Sequence, residues 1–340
     1  MEPINVYDYE ALAEQRLAPG AWAFYSSGAG DEVTLRRNRA AFERIQLLPR
    51  ILTGYGAADT ATTVLGTPVG LPILVAPTAA HGMACAEAEC ATARGAGEAS
   101  TLMVAATEST RSIEEIAAAA TGPLWSQLYV YRGHRPLAES LVRRAEATGC
   151  RALVLTVDAP LWGSKDRSAR VPADWPPAAN LGELDDSELG PEPLTWADLD
   201  WLRSLTAMPL VVKGVLLPDD ALRALDHGAA AIVVSNHGGR QLDGVPASIE
   251  ALPAIIETVA GRCQVYLDGG VRRGTDVLKA LALGARAVLV GRPALWGLAV
   301  DGAAGVRHVL ELLRNELEEA MVLAGVGSIA EIDGSLVRWS

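Results

Sequence analysis

The sequence predicts an α/β protein closed into a (β/α)8 TIM barrel, and three observations predict it. Eight short apolar runs recur along the chain, near-continuous rather than alternating, as strands buried on both faces must be. Amphipathic helical runs separate them, the pattern of parallel strands joined by crossover helices. The first run ends in Ala-Pro-Thr-Ala-Ala-His-Gly, which lacks the glycine-rich turn that a doubly wound dinucleotide sheet requires at that place.

The elements follow in order. Residues 1–60 carry helical spacing with a turn at Ser26-Ser27-Gly28-Ala29-Gly30, and are expected to pack on the barrel as an N-terminal helical extension. Strands are expected at 72–77, 102–106, 124–129, 152–157, 210–215, 231–234, 264–267 and 287–290. Helices between them include 136–148, 218–227 and 274–283. One connection is irregular: residues 164–194 after the fourth strand are Pro-rich and acidic, and a long loop of that kind on a catalytic face is expected to be a lid. The whole of 1–340 then forms one domain, a length that α/β barrels reach as a single unit.

Composition narrows the function. A hydrophobic fraction of 50% with 21% charged residues describes a soluble globular chain with a large core. The net charge of −12, with no basic stripe, excludes nucleic acid as a partner, because nothing would neutralise a phosphate backbone. Cys85, Cys90, Cys150 and Cys263 show no CxxC pair or metal spacing, and Cys85 and Cys90, in an Ala-rich helical run, are expected to be reduced core thiols. The N-terminus lacks a secretory pattern and no run approaches the ~18 apolar residues of a membrane span, so the expected location is the cytoplasm.

In such barrels chemistry gathers at strand C-termini. The sixth run leads into Ser235-Asn236-His237-Gly238-Gly239-Arg240, which sets an imidazole beside a guanidinium. That pair suits a base acting on an anionic substrate. Gly269, Gly270, Arg272, Gly291 and Arg292 follow the last two strands, where barrels hold phosphates on backbone N–H groups and a helix N-terminus. Lys213 ends an apolar strand, where an unpaired ammonium would be costly.

Taken with those strand ends, the blocks LPILVAPTA, QLYVYR, LVLTVDAP, LVVKGV, IVVSNHGGRQLDG and LDGGVRRGTDVLKALALGARAVLVGRP carry a resemblance over nearly the whole chain. The chain resembles the FMN-dependent α-hydroxy-acid oxidases and dehydrogenases, the glycolate oxidase, lactate oxidase and mandelate dehydrogenase group. The resemblance implies that the phosphate is that of FMN, and that Pro77, Thr78, Ala79, Ala106, Gln127, Tyr129, Thr156, Lys213, Ser235, Asp268 and Val271 also line the flavin site. It implies His237 as base with Asp158 as its carboxylate partner, Tyr129 steadying the substrate oxygen, Arg240 forked onto the substrate carboxylate, and flavin N5 as hydride acceptor. Lys213 would stabilise charge that develops on flavin reduction. The expected reaction is oxidation of an (S)-2-hydroxy acid to a 2-oxo acid, with O2 or another acceptor reoxidising the flavin, in a homo-oligomer that is a tetramer by analogy.

Four positions depart from the pattern. Phe24 stands where the family usually has a Tyr, Lys165 where it has a second Arg, Ala106 where it has a small hydroxyl residue, and Glu108 where an uncharged, often bulky residue is common. Lysine keeps the charge but not the planar fork of arginine. Glu108 could pair with Lys165, face solvent, or meet a cationic or polyhydroxylated substrate group. The alternatives to the main reading are therefore an FMN oxidase of an amine-bearing or secondary-metabolite substrate, an FMN-dependent isomerase, and a non-catalytic flavin-binding paralogue.

Overall fold

A computed structural model describes residues 3–182, 184 and 190–340. Eight parallel strands close into a barrel: β1 (Ile73–Val75), β2 (Met103–Ala105), β3 (Leu124–Leu128), β4 (Leu153–Thr156), β5 (Leu210–Val215), β6 (Ala231–Val234), β7 (Gln264–Asp268) and β8 (Ala287–Val290), with β8 returning to pair with β1. The first strand is shorter than its apolar run because Pro72 and Pro77 flank it, and proline has no N–H to give the ladder.

Side chains alternate across the barrel wall, as strand geometry demands. Leu74, Val104, Trp125, Val154, Val211, Val233, Tyr266 and Leu289 form the buried interior cluster. Ile73, Val75, Met103, Leu153, Val212, Ile232 and Val288 belong to the larger cluster shared with the helices outside. A hairpin of Thr62–Val64 and Thr67–Val69 covers the N-terminal mouth: Leu65 N donates to Gln264 Oε1 at 2.9 Å, and Arg286 Nε donates to Thr63 O at 2.8 Å. With that end plugged, the cavity has to open at the other.

Three helices precede the barrel, α1 (Val6–Arg16), α2 (Pro19–Ser26) and α3 (Val33–Glu43). Asn5 caps α1 by accepting from the Tyr7 and Asp8 amides, and a proline at the start of α2 suits a first turn whose N–H groups go unused. A reciprocal amide pair, Asn38 to Asn236 at 2.8 and 2.7 Å, pins α3 beneath the end of β6. The extension is thus packed against the C-terminal face of the barrel. Each barrel strand is followed by a helix: α4 (Ala88–Glu98), α5 (Ile113–Ala119), α6 (Arg135–Ala147), α7 (Trp196–Leu205), α8 (Pro218–Asp226), α9 (Ser248–Val259), α10 (Gly274–Ala282) and α11 (Arg292–Ala324).

The segment after β4 is tethered at several points. It contains the one-turn helix Asp166–Ala169, Trp175 stands edge-on to Phe24 at 4.5 Å, and buried Asn180 accepts from the Ile113 amide at 2.9 Å. Pro191 bridges to Tyr131. The part of the expected lid at 183 and 185–189 lies outside the described residues. Cys85 and Cys90, expected in the core, are only half-buried, because they sit at an element end and on an outer helix face; Cys263 is half-buried too, and Cys150 is buried. Among the described residues no helix is long and apolar enough to cross a membrane.

Candidate active site

One cavity at the C-terminal mouth gathers most of the residues singled out from sequence: Phe24, Pro77, Thr78, Ala79, Ala106, Glu108, Gln127, Tyr129, Thr156, Lys165, Lys213, His237, Arg240, Asp268, Gly269, Gly270, Val271, Arg272, Gly291 and Arg292 all line it. Asp158 and Ser235 stand one layer behind. Backbone geometry brings these groups close. Gly214, at φ 114°, sits at a register shift between Lys213 and Val215 in β5, and a Cβ there would come within 2.6 Å of Asp158 Cβ. The bulge lets the carboxylate of Asp158 reach the site.

His237 follows β6 with a positive φ of 59°, a conformation that costs energy in a residue with a Cβ and so marks a held geometry. Its Nδ1 is 2.8 Å from Asp158 Oδ1, and its Nε2 faces Tyr129 Oη at 3.4 Å. Although burial alone would raise the Asp158 carboxyl, the His237 and Lys213 charges outweigh it and hold the group below the ordinary carboxylate range. Tyr129 is pushed the other way, well above its usual value, chiefly by burial and then by the Glu108 and Asp158 charges. At neutral pH the site therefore presents an anionic Asp158, a phenol that keeps its proton, and an imidazole oriented between them.

Lys213 is fully buried, 3.1 Å from Asp268 Oδ2 and donating to Ser235 Oγ at 3.0 Å. Burial opposes its charge, but Asp268 and then Asp158 raise it, so it stays an ammonium. The ion pair with Asp268 resolves the cost foreseen for a strand-end lysine, and both residues still face the cavity. Gln127 is locked between Thr107, whose amide it accepts at 3.0 Å, and Thr156, to whose hydroxyl it donates at 3.1 Å.

The far end of the cavity fits a phosphate. Arg272 is buried and Arg292 half-buried; burial and then the Arg292 charge lower the Arg272 guanidinium to about 9, and burial and then the Arg240 charge lower that of Arg292 to about 9. A dianion between two such groups relieves that repulsion. Gly270, at φ 89°, could carry no side chain, since a Cβ would fall 2.7 Å from the Asn38 carbonyl carbon. Helix α11 begins at Arg292, so its free N–H groups open toward the same spot. The buried Asp268 Oδ1 lacks a hydrogen-bond partner within the protein, which leaves an acceptor for a donor group on the ring of a bound molecule. These residues fit FMN: Gly269, Gly270, Arg272, Gly291 and Arg292 for its phosphate, Gln127, Thr156 and Lys213 for the remainder.

At the opposite end two side chains have partners that the sequence did not show. Arg240 is not a free fork: its Nη1 donates to the carbonyls of Phe24 at 2.6 Å and Ser27 at 2.8 Å, while its guanidinium lies 4.8 Å from the Phe24 ring. That leaves Nε and Nη2 of the guanidinium for a substrate carboxylate. Burial lowers Arg240 to about 10, still charged at neutral pH. Glu108 takes an orientation not foreseen from sequence, accepting from Tyr131 Oη at 2.9 Å while half-buried in the cavity wall. Lys165 donates to Gly163 O at 2.8 Å, and burial then Arg240 lower it to about 8 against the raising influence of Glu108.

Sequence reading missed several contributors. Trp162 lines the cavity and meets Tyr129 edge-on at 5.3 Å, and Tyr25 donates to Ala80 O at 2.6 Å behind the first strand. A tryptophan in a polar loop beside a strand end was the available signal for the first. The second had none, since its partner lies far along the chain.

Comparison with known proteins agrees with this geometry. A family model described as FMN-dependent dehydrogenase matches residues 13–339. The chain is 49% identical to an L-lactate oxidase of Nostoc sp., covering 99% of this chain and 98% of that protein. It is 45% identical to a glycolate oxidase of Spinacia oleracea, covering 98% and 95% respectively. Among solved structures, a mandelate oxidase variant holding (S)-mandelic acid superposes with a TM-score of 0.92 at 42% identity, over 100% of this chain and 99% of that one.

Proposed function

Because the chain belongs to the family of FMN-dependent dehydrogenases, we propose that it oxidises an (S)-2-hydroxy acid to the 2-oxo acid, with O2 or another acceptor regenerating the cofactor. The observation that carries this reading is the Asp158–His237–Tyr129 chain, which meets the cavity beside the cations Arg240 and Lys165.

When bound, FMN supplies the acceptor for the two electrons that leave the substrate α-carbon. His237 Nε2 takes the proton of the substrate hydroxyl, and the ionised Asp158 at Nδ1 stabilises the imidazolium that results. Tyr129, which keeps its proton, donates a hydrogen bond to the substrate oxygen. Arg240 and Lys165 hold the substrate carboxylate, the first rigidly through its anchored guanidinium, the second as a point charge. Lys213, fixed by Asp268 and Ser235, places a permanent positive charge where the cofactor gains electrons.

A homotetramer and a cytoplasmic location complete the proposal. The family resemblance supports the first, as does an exposed apolar stretch at Leu48, Ile51, Leu52 and Tyr55. The test of the reaction is anaerobic: purified yellow protein is mixed under argon with a panel of 2-hydroxy acids, then exposed to air. Bleaching by at least one (S)-acid, with recovery of colour in air, is expected. Protein that carries no FMN, or a flavin that no 2-hydroxy acid bleaches, would overturn the reading.

A further inference from the structure

Behind the cavity wall lies a buried histidine that the mechanism above does not use. His81 is wholly buried at the end of the β1 loop. Its Nε2 lies 2.6 Å from Thr78 Oγ1 and its Nδ1 lies 2.9 Å from Thr92 Oγ1. Thr78 lines the cavity; Thr92 lies on α4 and does not. The loop between them is tightly determined. Ala80 holds a positive φ of 59°, and Tyr25 Oη donates to its carbonyl. The buried carboxylate of Glu89 accepts from the His81, Thr110 and Arg111 amides, tying the loops after β1 and β2 together.

Which way the protons run in this chain follows from counting donors. A buried hydroxyl has to place its hydrogen on an acceptor. The wholly buried Thr92 hydroxyl has His81 Nδ1 as its hydrogen-bond partner, so Nδ1 accepts. Burial keeps the imidazole neutral, which leaves a single ring proton. With Nδ1 accepting, that proton is on Nε2 and is donated to Thr78 Oγ1. Thr78 Oγ1 then accepts from His81, and its own hydrogen is released toward the cavity.

We propose that His81 is a positioning residue: held between Thr92 and Thr78, it fixes the Thr78 hydroxyl as a hydrogen-bond donor aimed at the FMN site. The inference rests on the FMN reading and concerns how the protein prepares its side of that site. With the opposite tautomer the Thr78 hydroxyl would spend its hydrogen on the imidazole and offer the cofactor only lone pairs. The relay therefore selects for an acceptor atom on the bound ring, and it does so through a residue that touches neither cofactor nor substrate.

The test compares Thr78→Val, Thr92→Val, His81→Phe, His81→Gln and the double variant Thr78→Val/His81→Phe as holoenzymes. Two readouts are taken, the visible flavin spectrum and FMN release on dilution followed by fluorescence. Thr78→Val and His81→Phe are each expected to weaken FMN by about tenfold, the worth of one buried hydrogen bond, and to shift the spectrum alike. The double variant should be no worse than Thr78→Val alone, since His81 acts only through Thr78. His81→Gln, which keeps an N–H near the Nε2 position, should restore most of the affinity. Additive losses in the double variant would assign His81 a merely structural role. If His81→Phe does not fold, the near-isosteric Thr92→Val decides: it should shift the spectrum in the same direction and weaken FMN about two- to threefold. A wild-type spectrum and release rate in Thr92→Val would overturn the relay. Wild-type protein that never carries FMN would overturn the cofactor reading instead, so the two failures are distinguishable.

Discussion

The two halves of the cavity are built differently. The half that fits FMN is made from strand ends and their first following residues: Pro77–Ala79 after β1, Gln127 in β3, Thr156 in β4, Lys213 in β5, Asp268–Arg272 after β7 and Gly291–Arg292 after β8. The half proposed to face the substrate is borrowed from outside the barrel. Phe24 comes from α2, Glu108 from the loop after β2, Trp162 and Lys165 from the long segment after β4, and Arg240 from the turn after β6, anchored on α2. Strand ends are placed by the hydrogen-bonded ladder and cannot drift independently. Loops can change residue by residue without disturbing the barrel. Three of the four departures, Phe24, Glu108 and Lys165, lie in the substrate half and the fourth, Ala106, among the residues expected at the flavin, while the phosphate glycines and arginines are intact.

If the halves are separable, damage to each should have its own signature. The largest effect is expected from His237→Ala, which should slow flavin reduction by a factor of about 10²–10⁴ while leaving the cofactor bound and its spectrum nearly unchanged. Stopped-flow reduction under argon measures the first and absorbance the second. A near-wild-type rate would remove His237 from the mechanism, and loss of flavin would show that the halves are coupled.

Arg272→Leu should do the reverse. Removing the buried one of the two guanidiniums at the phosphate end is expected to weaken FMN about ten- to hundredfold, the worth of charged hydrogen bonds. The reduction rate per bound flavin should hold. Ultrafiltration followed by single-turnover kinetics separates the two quantities, and a large drop in rate per flavin would break the division.

The smallest effect sharpens the substrate half. Lys165 titrates at about 8, so its charge is present below that pH and lost as pH rises through it. KM for a 2-hydroxy acid should therefore rise by up to about tenfold between pH 7 and 9, with kcat changing less. Lys165→Arg should flatten that rise, because a guanidinium keeps its charge. A KM profile identical in wild type and Lys165→Arg would show that Arg240 alone binds the carboxylate.

How far the site could be read from sequence follows the same division. The glycines after β7, the arginines that follow them and the His-Gly-Gly-Arg turn were legible, because each is a short local pattern at the end of an apolar run. The orientation of Glu108 was not legible, because its partner Tyr131 is a hydrophobic-looking residue 23 positions on, and the choice between Tyr131, Lys165 and water is a matter of distances. The partial commitment of Arg240 to Phe24 was hidden for the same reason, since 216 residues separate them. His81 looked like one more residue of an Ala-rich loop.

By itself the sequence determined the barrel, the order of its strands and the mouth at which chemistry collects. Hydrophobic periodicity and strand-end chemistry are local properties that the chain carries before it folds. Only the tertiary structure decided which side chains share a hydrogen. The Asp158–His237 contact, the Lys213–Asp268 pair and the Thr92–His81–Thr78 chain each depend on positions set to within a few tenths of an ångström by packing of distant segments. Closure of the barrel brings its strand ends into a ring, and a ring makes neighbours of residues that no spacing in the sequence connects.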